Sequence, residues 1–325
     1  MMKKEVRVED AVGMRLAHDL TRIVPGEFKG RLFKKGHVIS ADDIPALLNI
    51  GKEHIYILEL NDGELHEDDA ALRMGNALAG TAMRFDEPHE GKVVLKAEMQ
   101  GLLKVDAERL FAINMIDEIA VVAKQNNTVL EPGDKIAGLR AIPLTVAEEK
   151  VARVEALAAD RAVFAIKPFR RLKVGVVTTG SEVLKGRIED KFGPRVREKL
   201  ERYGSEVIEQ KIVGDLVEDI AGAIETFHAA GADMVICTGG MSVDPDDRTP
   251  GAIKRAATEV VSYGMPVLPG SMMMLAYREA MPIFGLPGCV IFDDFTSFDI
   301  LLPRVLAGEK VTREEVAHLG HGGLL

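Results

Sequence analysis

The chain has no tryptophan, four tyrosines and two cysteines in 325 residues. Cys237 and Cys289 cannot build a disulfide framework, and neither sits in a pair at metal-ligand spacing. A reducing cytoplasm is therefore the expected compartment. No run reaches the roughly 18 apolar residues that span a bilayer, and the start, MMKKEVRVEDAVGM, carries charge without the apolar core of a secretory leader. Basic residues are in the minority: 41 Lys and Arg against 51 Asp and Glu leave a net charge of −10. There is thus no general attraction for nucleic acid or for an anionic membrane surface. An anionic ligand must be held locally. The eight histidines are scattered, and neither Gly-x-Gly-x-x-Gly nor a Walker Gly-Lys-Ser/Thr is present.

What is present is an ordinary globular mixture, 47% hydrophobic and 28% charged, long enough for two domains. The texture changes along the chain. Residues 1–144 read as a mixed α+β region, smaller than a full α/β domain and divisible into two lobes. Its strand-like runs lie at 53–60, 91–97 and 119–123, with a helical patch at 41–50. Thr145-Val146-Ala147-Glu148 has capping-box spacing, so residues 145–171 are expected to be a linking helix followed by a basic linker, Lys167-Pro168-Phe169-Arg170-Arg171. From 172 to 312 apolar runs alternate with amphipathic stretches: strand 174–177, helix 194–203, strand 206–213, helix 216–230, strand 234–237, a helix starting at Thr249-Pro250, strand 282–286 and a last helix from about 290 that buries Phe292, Phe295, Leu302 and Leu306. Such alternation predicts an α/β domain with a mostly parallel sheet covered on both faces. Residues 313–325, with Gly-His-Gly-Gly, read as a flexible tail.

Ligands of doubly wound sheets bind beyond the carboxyl ends of the strands, which directs attention to the loops there. Thr178-Thr179-Gly180-Ser181-Glu182 pairs a glycine with hydroxyls that can approach a phosphate oxygen, or is simply a tight turn. Thr238-Gly239-Gly240-Met241-Ser242 offers two adjacent glycines for an anion-binding nest, and Asp244, Asp246 and Asp247 place three carboxylates within four positions, a set suited to a hard cation such as Mg²⁺. The same residues also suit a polar loop capping the next helix. Leu268-Pro269-Gly270-Ser271 and Gly285-Leu286-Pro287-Gly288 are glycine–proline elements at strand ends, and Asp215 follows another strand as ligand or helix cap. The three methionines at 272–274 are expected to fill the core rather than line a cofactor.

These segments, VTTGSE at 177–182, IVGD at 212–215, TGGMSV at 238–243, DRTPGA at 247–252, LPG at 268–270 and GLPG at 285–288, occur in the order and approximate spacing of the MogA/MoeA/gephyrin molybdopterin-binding domain, which the chain resembles. Val8-Glu9-Asp10-Ala11-Val12-Gly13 also looks like a MoeA opening, and Phe33-Lys34-Lys35-Gly36 with 41–51 like a further MoeA-like piece. The resemblance implies a three-layer α/β/α domain that binds molybdopterin, free, adenylylated or as finished cofactor. It implies molybdate insertion with Mg²⁺ and release of AMP, catalysed by Glu182, Asp215 and Asp247. A non-catalytic carrier serving molybdenum enzymes, or a MogA-like adenylyltransferase, is the alternative. It further implies a homo-oligomer, dimer or trimer. Three positions depart from the pattern: Cys289 stands for an asparagine, Ser271-Met272 for a lysine-bearing element and Asp244 for a glycine. A C-terminal β-domain of the MoeA type is not expected.

Overall fold

The computed structural model describes residues 2–24, 28–89, 91–245 and 247–325. It resolves into two compact units, Met1–Ile166 and Lys167–Leu325. The first is thus as large as the second rather than smaller.

The first unit has two separate cores. Strands Met2–Arg7, His54–Glu59 and Arg15–Leu16 form an antiparallel sheet over a small core of Val8, Leu16, Ile39, Leu47, Ile55 and Ile57. A larger core lies beneath a second antiparallel sheet of Ile119–Ala123, Lys135–Ala141, Lys92–Ala97 and Met83–Phe85. Helices Glu67–Leu78 and Glu148–Ala158 pack on it, with Val151 and Val154 fully buried. The expected helix after residue 147 is therefore present, but it belongs to this unit and does not link. Arg73 holds it to the neighbouring helix through Glu148 at 2.6 Å and Glu155 at 2.7 Å. The capping box does not form either: Thr145–Ala147 is a strand paired with Glu64–His66, which draws Thr145 away from the helix start.

In the second unit the elements are β1 (Lys173–Thr179), α1 (Ser181–Leu184), α2 (Phe192–Glu201), β2 (Glu206–Val213), α3 (Val217–Ala229), β3 (Met234–Thr238), α4 (Thr249–Ala256), β4 (Glu259–Tyr263), β5 (Met274–Arg278), β6 (Met281–Leu286), α5 (Ser297–Leu306) and α6 (Arg313–His318). They build one six-stranded sheet in the order β2-β1-β3-β6-β5-β4. β1 pairs in parallel with both β2 and β3, and β3 with β6; only β5 runs against its neighbours. Alternation along the strands divides the core. Val174, Val176, Met234, Ile236 and Phe284 face α2 and α5, while Val177, Val235, Cys237 and Ile283 face α3 and α4. The three-layer α/β/α arrangement is the expected one. At position 175 the Phe227 ring of α3 occupies the space that a side chain would need, so only glycine fits.

Three local expectations are corrected. The segment after β6 forms a single 3-10 turn at Gly288–Ile291 before α5 begins, leaving Phe292 79% and Phe295 53% exposed instead of buried. Strands β4 and β5 were not foreseen, and Met273 and Met274 are fully buried there, as core filling requires. The tail is docked: α6 carries a capping box from Thr312 and Glu315 and buries Val316, and the amides of Leu268 and Leu325 donate to the carbonyls of Gly323 and Leu268. No helix among the described residues is long and apolar enough to cross a membrane.

Candidate functional site

The chain leaves β1 to build β2 on one side, then crosses to β3 on the other, so the strand order reverses between β1 and β3. Two neighbouring connections diverge there and leave a gap beyond the strand ends. A polar crevice of about 550 Å³ occupies that position, lined by Thr179, Gly180, Ser181 and Glu182 after β1, Asp215 and Leu216 after β2, and Gly239, Gly240, Asp247 and Arg248 after β3.

Each wall has a local cause. Gly180, with φ at 133°, turns the chain from β1 into α1, a conformation open to glycine but not to other residues. The turn brings Ser181 to Asp215, whose Oδ2 accepts the Ser181 amide at 3.0 Å and its hydroxyl at 2.8 Å. Gly239 and Gly240 follow β3 with φ of 86° and 57°. Two successive residues of positive φ bend the backbone sharply, a glycine-dependent turn at which amides can be offered to an anion. The curl is tight: a Cβ at Gly239 would stand 2.6 Å from the Thr179 carbonyl oxygen, and one at Gly240 2.9 Å from Thr249 Oγ1. Thr249 Oγ1 donates to the Gly239 carbonyl at 2.8 Å and lies 3.2 Å from Thr179 Oγ1. Buried hydroxyls thus fasten this loop to the end of β1. On its outer side the Tyr263 hydroxyl lies 3.1 Å from the carbonyl of Met241 and 3.2 Å from that of Ser242; burial, with Asp247 nearby, pushes the phenol above its ordinary value.

The structure gathers eight of the expected residues: Thr179, Gly180, Ser181, Glu182, Asp215, Gly239, Gly240 and Asp247. The others lie outside the crevice. Thr178 and Thr238 sit on the opposite face of their strands, where the Thr238 hydroxyl lies 3.3 Å from that of Thr178 and Gln210 donates to Thr178 at 2.9 Å. The Met241 side chain is buried against Gly285 inside the α4 layer, and Ser242 is exposed. Pro269 and Gly270 serve packing: their carbonyls accept the amide and hydroxyl of Ser297 at the start of α5, while the Ser271 carbonyl accepts the Met265 amide. Pro287 and Gly288 begin the 3-10 turn after β6, a strand that β3 separates from β1.

Of the expected carboxylate trio, Asp244 and Asp247 can be placed. Asp246 lies outside the described residues. Asp244 is exposed and lies outside the crevice; its amide donates to Asp247 Oδ2 at 3.1 Å and its carbonyl accepts the Asp247 amide at 2.9 Å, a closed turn that orients Asp247. No group of three His, Cys, Asp or Glu gathers closely enough to hold a metal ion by protein ligands alone, again among the described residues. Sequence reasoning missed Arg248, the one cation among the described residues that line the crevice. Its place directly after Asp247 was the available signal.

Residues 175–306 match the family described as a probable molybdopterin binding domain, and residues 5–59 a domain family of unknown function. A CinA-like protein of Mycobacterium sp. (strain MCS) is 35% identical over 83 residues, 26% of this chain and 20% of that protein. A molybdopterin molybdenumtransferase of Staphylococcus aureus (strain Mu50) is 33% identical over 132 residues, 38% of this chain and 31% of that protein. Each match thus spans a third or less of the relative's length. Among solved structures, MoaB, a molybdopterin biosynthesis enzyme from Thermus thermophilus, is 22% identical with a TM-score of 0.37, covering 42% of this chain and 98% of that one.

Proposed function

We propose that the second unit, a domain of the molybdopterin-binding type over residues 175–306, holds the phosphate end of molybdopterin or of adenylylated molybdopterin in the β1–β3 crevice. The observation that carries this reading is the double left-handed turn at Gly239–Gly240, fastened to β1 by Thr179 and Thr249. A turn already held in place needs no rearrangement to offer its backbone amides to phosphate oxygens. Arg248 adds the cation that the opposing carboxylates would otherwise deny to an anion.

The lining carboxylates support a catalytic role in molybdate insertion with release of AMP. Asp247 faces the crevice from a turn that fixes its direction. Asp215 is partly occupied by Ser181, so its part is to position the β1 turn. Mg²⁺ commonly takes only one or two carboxylates, completing its shell with waters and phosphate oxygens, and Asp247 with Glu182 can furnish those. When bound, the ion supplies neutralisation of charge on the phosphate oxygens. The remaining work belongs to the chain: amides orient the phosphate, and Arg248 offsets its charge.

The test mixes the full chain with adenylylated molybdopterin, Mg²⁺ and molybdate and measures AMP. Turnover that falls at least a hundredfold in Asp247→Asn supports the reading, and unchanged turnover removes the catalytic assignment. A second reading, a carrier that holds the finished cofactor, draws on Ser271-Met272 standing where the family pattern has a lysine. Tight pterin binding with no AMP from the wild-type chain would favour it.

A further inference from the structure

The first unit contains a second pocket, unrelated to the crevice. It measures about 340 Å³ and lies where the residue 5–59 lobe meets the start of helix Glu67–Leu78. Four cations line it: Arg31, Lys34, Lys35 and Arg140. Two are already neutralised. Lys35 Nζ lies 2.6 Å from the buried Glu67 carboxylate, and Arg31 lies 3.1 Å from Asp19, which also accepts the Lys35 amide at 2.7 Å. Lys34 and Arg140 are different, for neither has a carboxylate within salt-bridge reach among the described residues; Arg140 reaches only the Ala141 carbonyl, at 3.4 Å.

This corner is built, and is not a chance cluster of surface charge. Gly36, with φ at 81°, turns the Lys34-Lys35 segment onto the helix start, where a Cβ would press within 3.0 Å of the His66 ring. His66 is fully buried; its Nδ1 accepts the Asp68 amide at 3.2 Å, which leaves the proton on Nε2, and Nε2 has no partner among the described residues. Asp68 in turn accepts the Gly91 amide at 2.8 Å. A partly buried ion pair, a buried imidazole and a left-handed glycine together fix the Lys34-Lys35 backbone beside the helix start, although burying charge of this kind is costly in itself. Such an arrangement persists where fixed geometry has a use.

We propose that this pocket binds a small tetrahedral dianion, a phosphate or a chemically equivalent oxyanion, between Lys34 and Arg140. Arg140 provides a planar fork of donors and Lys34 a point charge. The pocket, at about 340 Å³, has room for such a group. The proposal does not rest on the function assigned to the second unit.

The experiment is calorimetric titration of the full chain, at low ionic strength, with inorganic phosphate and separately with molybdate. Both anions are also titrated into Gly239→Ala, which removes the crevice's nest. A binding event that survives in Gly239→Ala, weakens about tenfold in Arg140→Gln and a few-fold in Lys34→Gln, and recovers in part in Arg140→Lys supports the site. Preference between the two anions identifies its natural source. Far-UV circular dichroism equal to wild type at the titration temperature establishes that the variants are folded, Gly239→Ala included despite its lower melting midpoint. Binding that disappears in Gly239→Ala, or is unaffected in the Lys34→Gln, Arg140→Gln double variant, overturns the proposal.

Discussion

The nest at Gly239 admits a quantitative test by comparison with Gly231. Both glycines have positive φ, 86° and 76°, so alanine at either position carries the same backbone strain, about 1–2 kcal/mol. They differ in what a Cβ would meet. Nothing lies within 4 Å at Gly231, whereas at Gly239 the Thr179 carbonyl oxygen is 2.6 Å away, 0.8 Å short of the 3.4 Å at which ordinary contact begins (3.4 − 2.6), and Thr179 Oγ1 is 2.8 Å away. That carbonyl belongs to the last residue of β1, backbone held by its pairing with β2, and is not the far end of a flexible side chain that could swing aside. Overpacking of this kind costs roughly 1–3 kcal/mol more, so Gly239→Ala should lose about 2–5 kcal/mol against about 1–2 for Gly231→Ala. Three of the four tyrosines, Tyr203, Tyr263 and Tyr277, lie in the second unit and no tryptophan competes with them. Urea unfolding followed by tyrosine fluorescence therefore reports mainly on this unit. Ligand affinity should separate the variants further, by tenfold or more at Gly239 and hardly at all at Gly231. If both alanine variants lose equal stability, the loop is not held against β1 and the preformed nest is wrong.

Three further outcomes are expected. Tyr263→Phe removes the hydroxyl that bridges the Met241 and Ser242 carbonyls, costing about 1 kcal/mol and loosening the crevice loop; unaltered amide exchange at 241–245 would count against that clamp. Burial holds the His66 imidazole below its ordinary value, so the unfolded chain binds a proton that the native first unit excludes. The stabilisation is fully present above about pH 6.5 and is lost as pH falls through the depressed native value; urea melts near pH 7.5 and 5.5 should show a larger loss for wild type than for His66→Gln, and equal losses would refute it. Burial also drives the Cys237 thiol far above its ordinary value and raises that of half-buried Cys289. A thiol reagent near pH 8 should then label Cys289 slowly and Cys237 only on unfolding, and rapid labelling of both would contradict the packing described.

In the second unit β1, β3 and β6 were legible because each is a short apolar run leading into a glycine, proline or hydroxyl residue, while β2, half of it polar, was marked by the glycines at 204 and 214 on either side. β2 appears at its expected limits, and β1, β3 and β6 lie within a residue or two of theirs. The edge strand β4 and its neighbour β5 were not, since neither Glu259–Tyr263 nor Met274–Arg278 carries a clean alternation of polar and apolar residues. Composition pointed to the glycine loops, yet it could not choose faces. Thr178 and Thr179 are adjacent and alike, and only the pleat sends one into the crevice and the other toward Gln210. Pro269 and Gly270 look like ligand loops in sequence, but their carbonyls serve α5. Phe292 and Phe295 were read as core from their hydrophobicity, a property that says nothing about where a helix begins. The tail was misread for a similar reason: its anchoring depends on pairing with Leu268, more than fifty residues away in sequence.

The ring of Phe227 resting on Gly175 has a consequence for how this domain can change over time. Adding a methyl group at 175 with the ring in place is prohibited, and shrinking the ring with 175 bare leaves a void in the layer beneath β1, a loss of about 3–5 kcal/mol for a phenylalanine cut to alanine. Either first step is disfavoured although the pair together could be exchanged. The two sites should therefore behave as a single inherited character, and libraries that vary one residue at a time will report both as immutable.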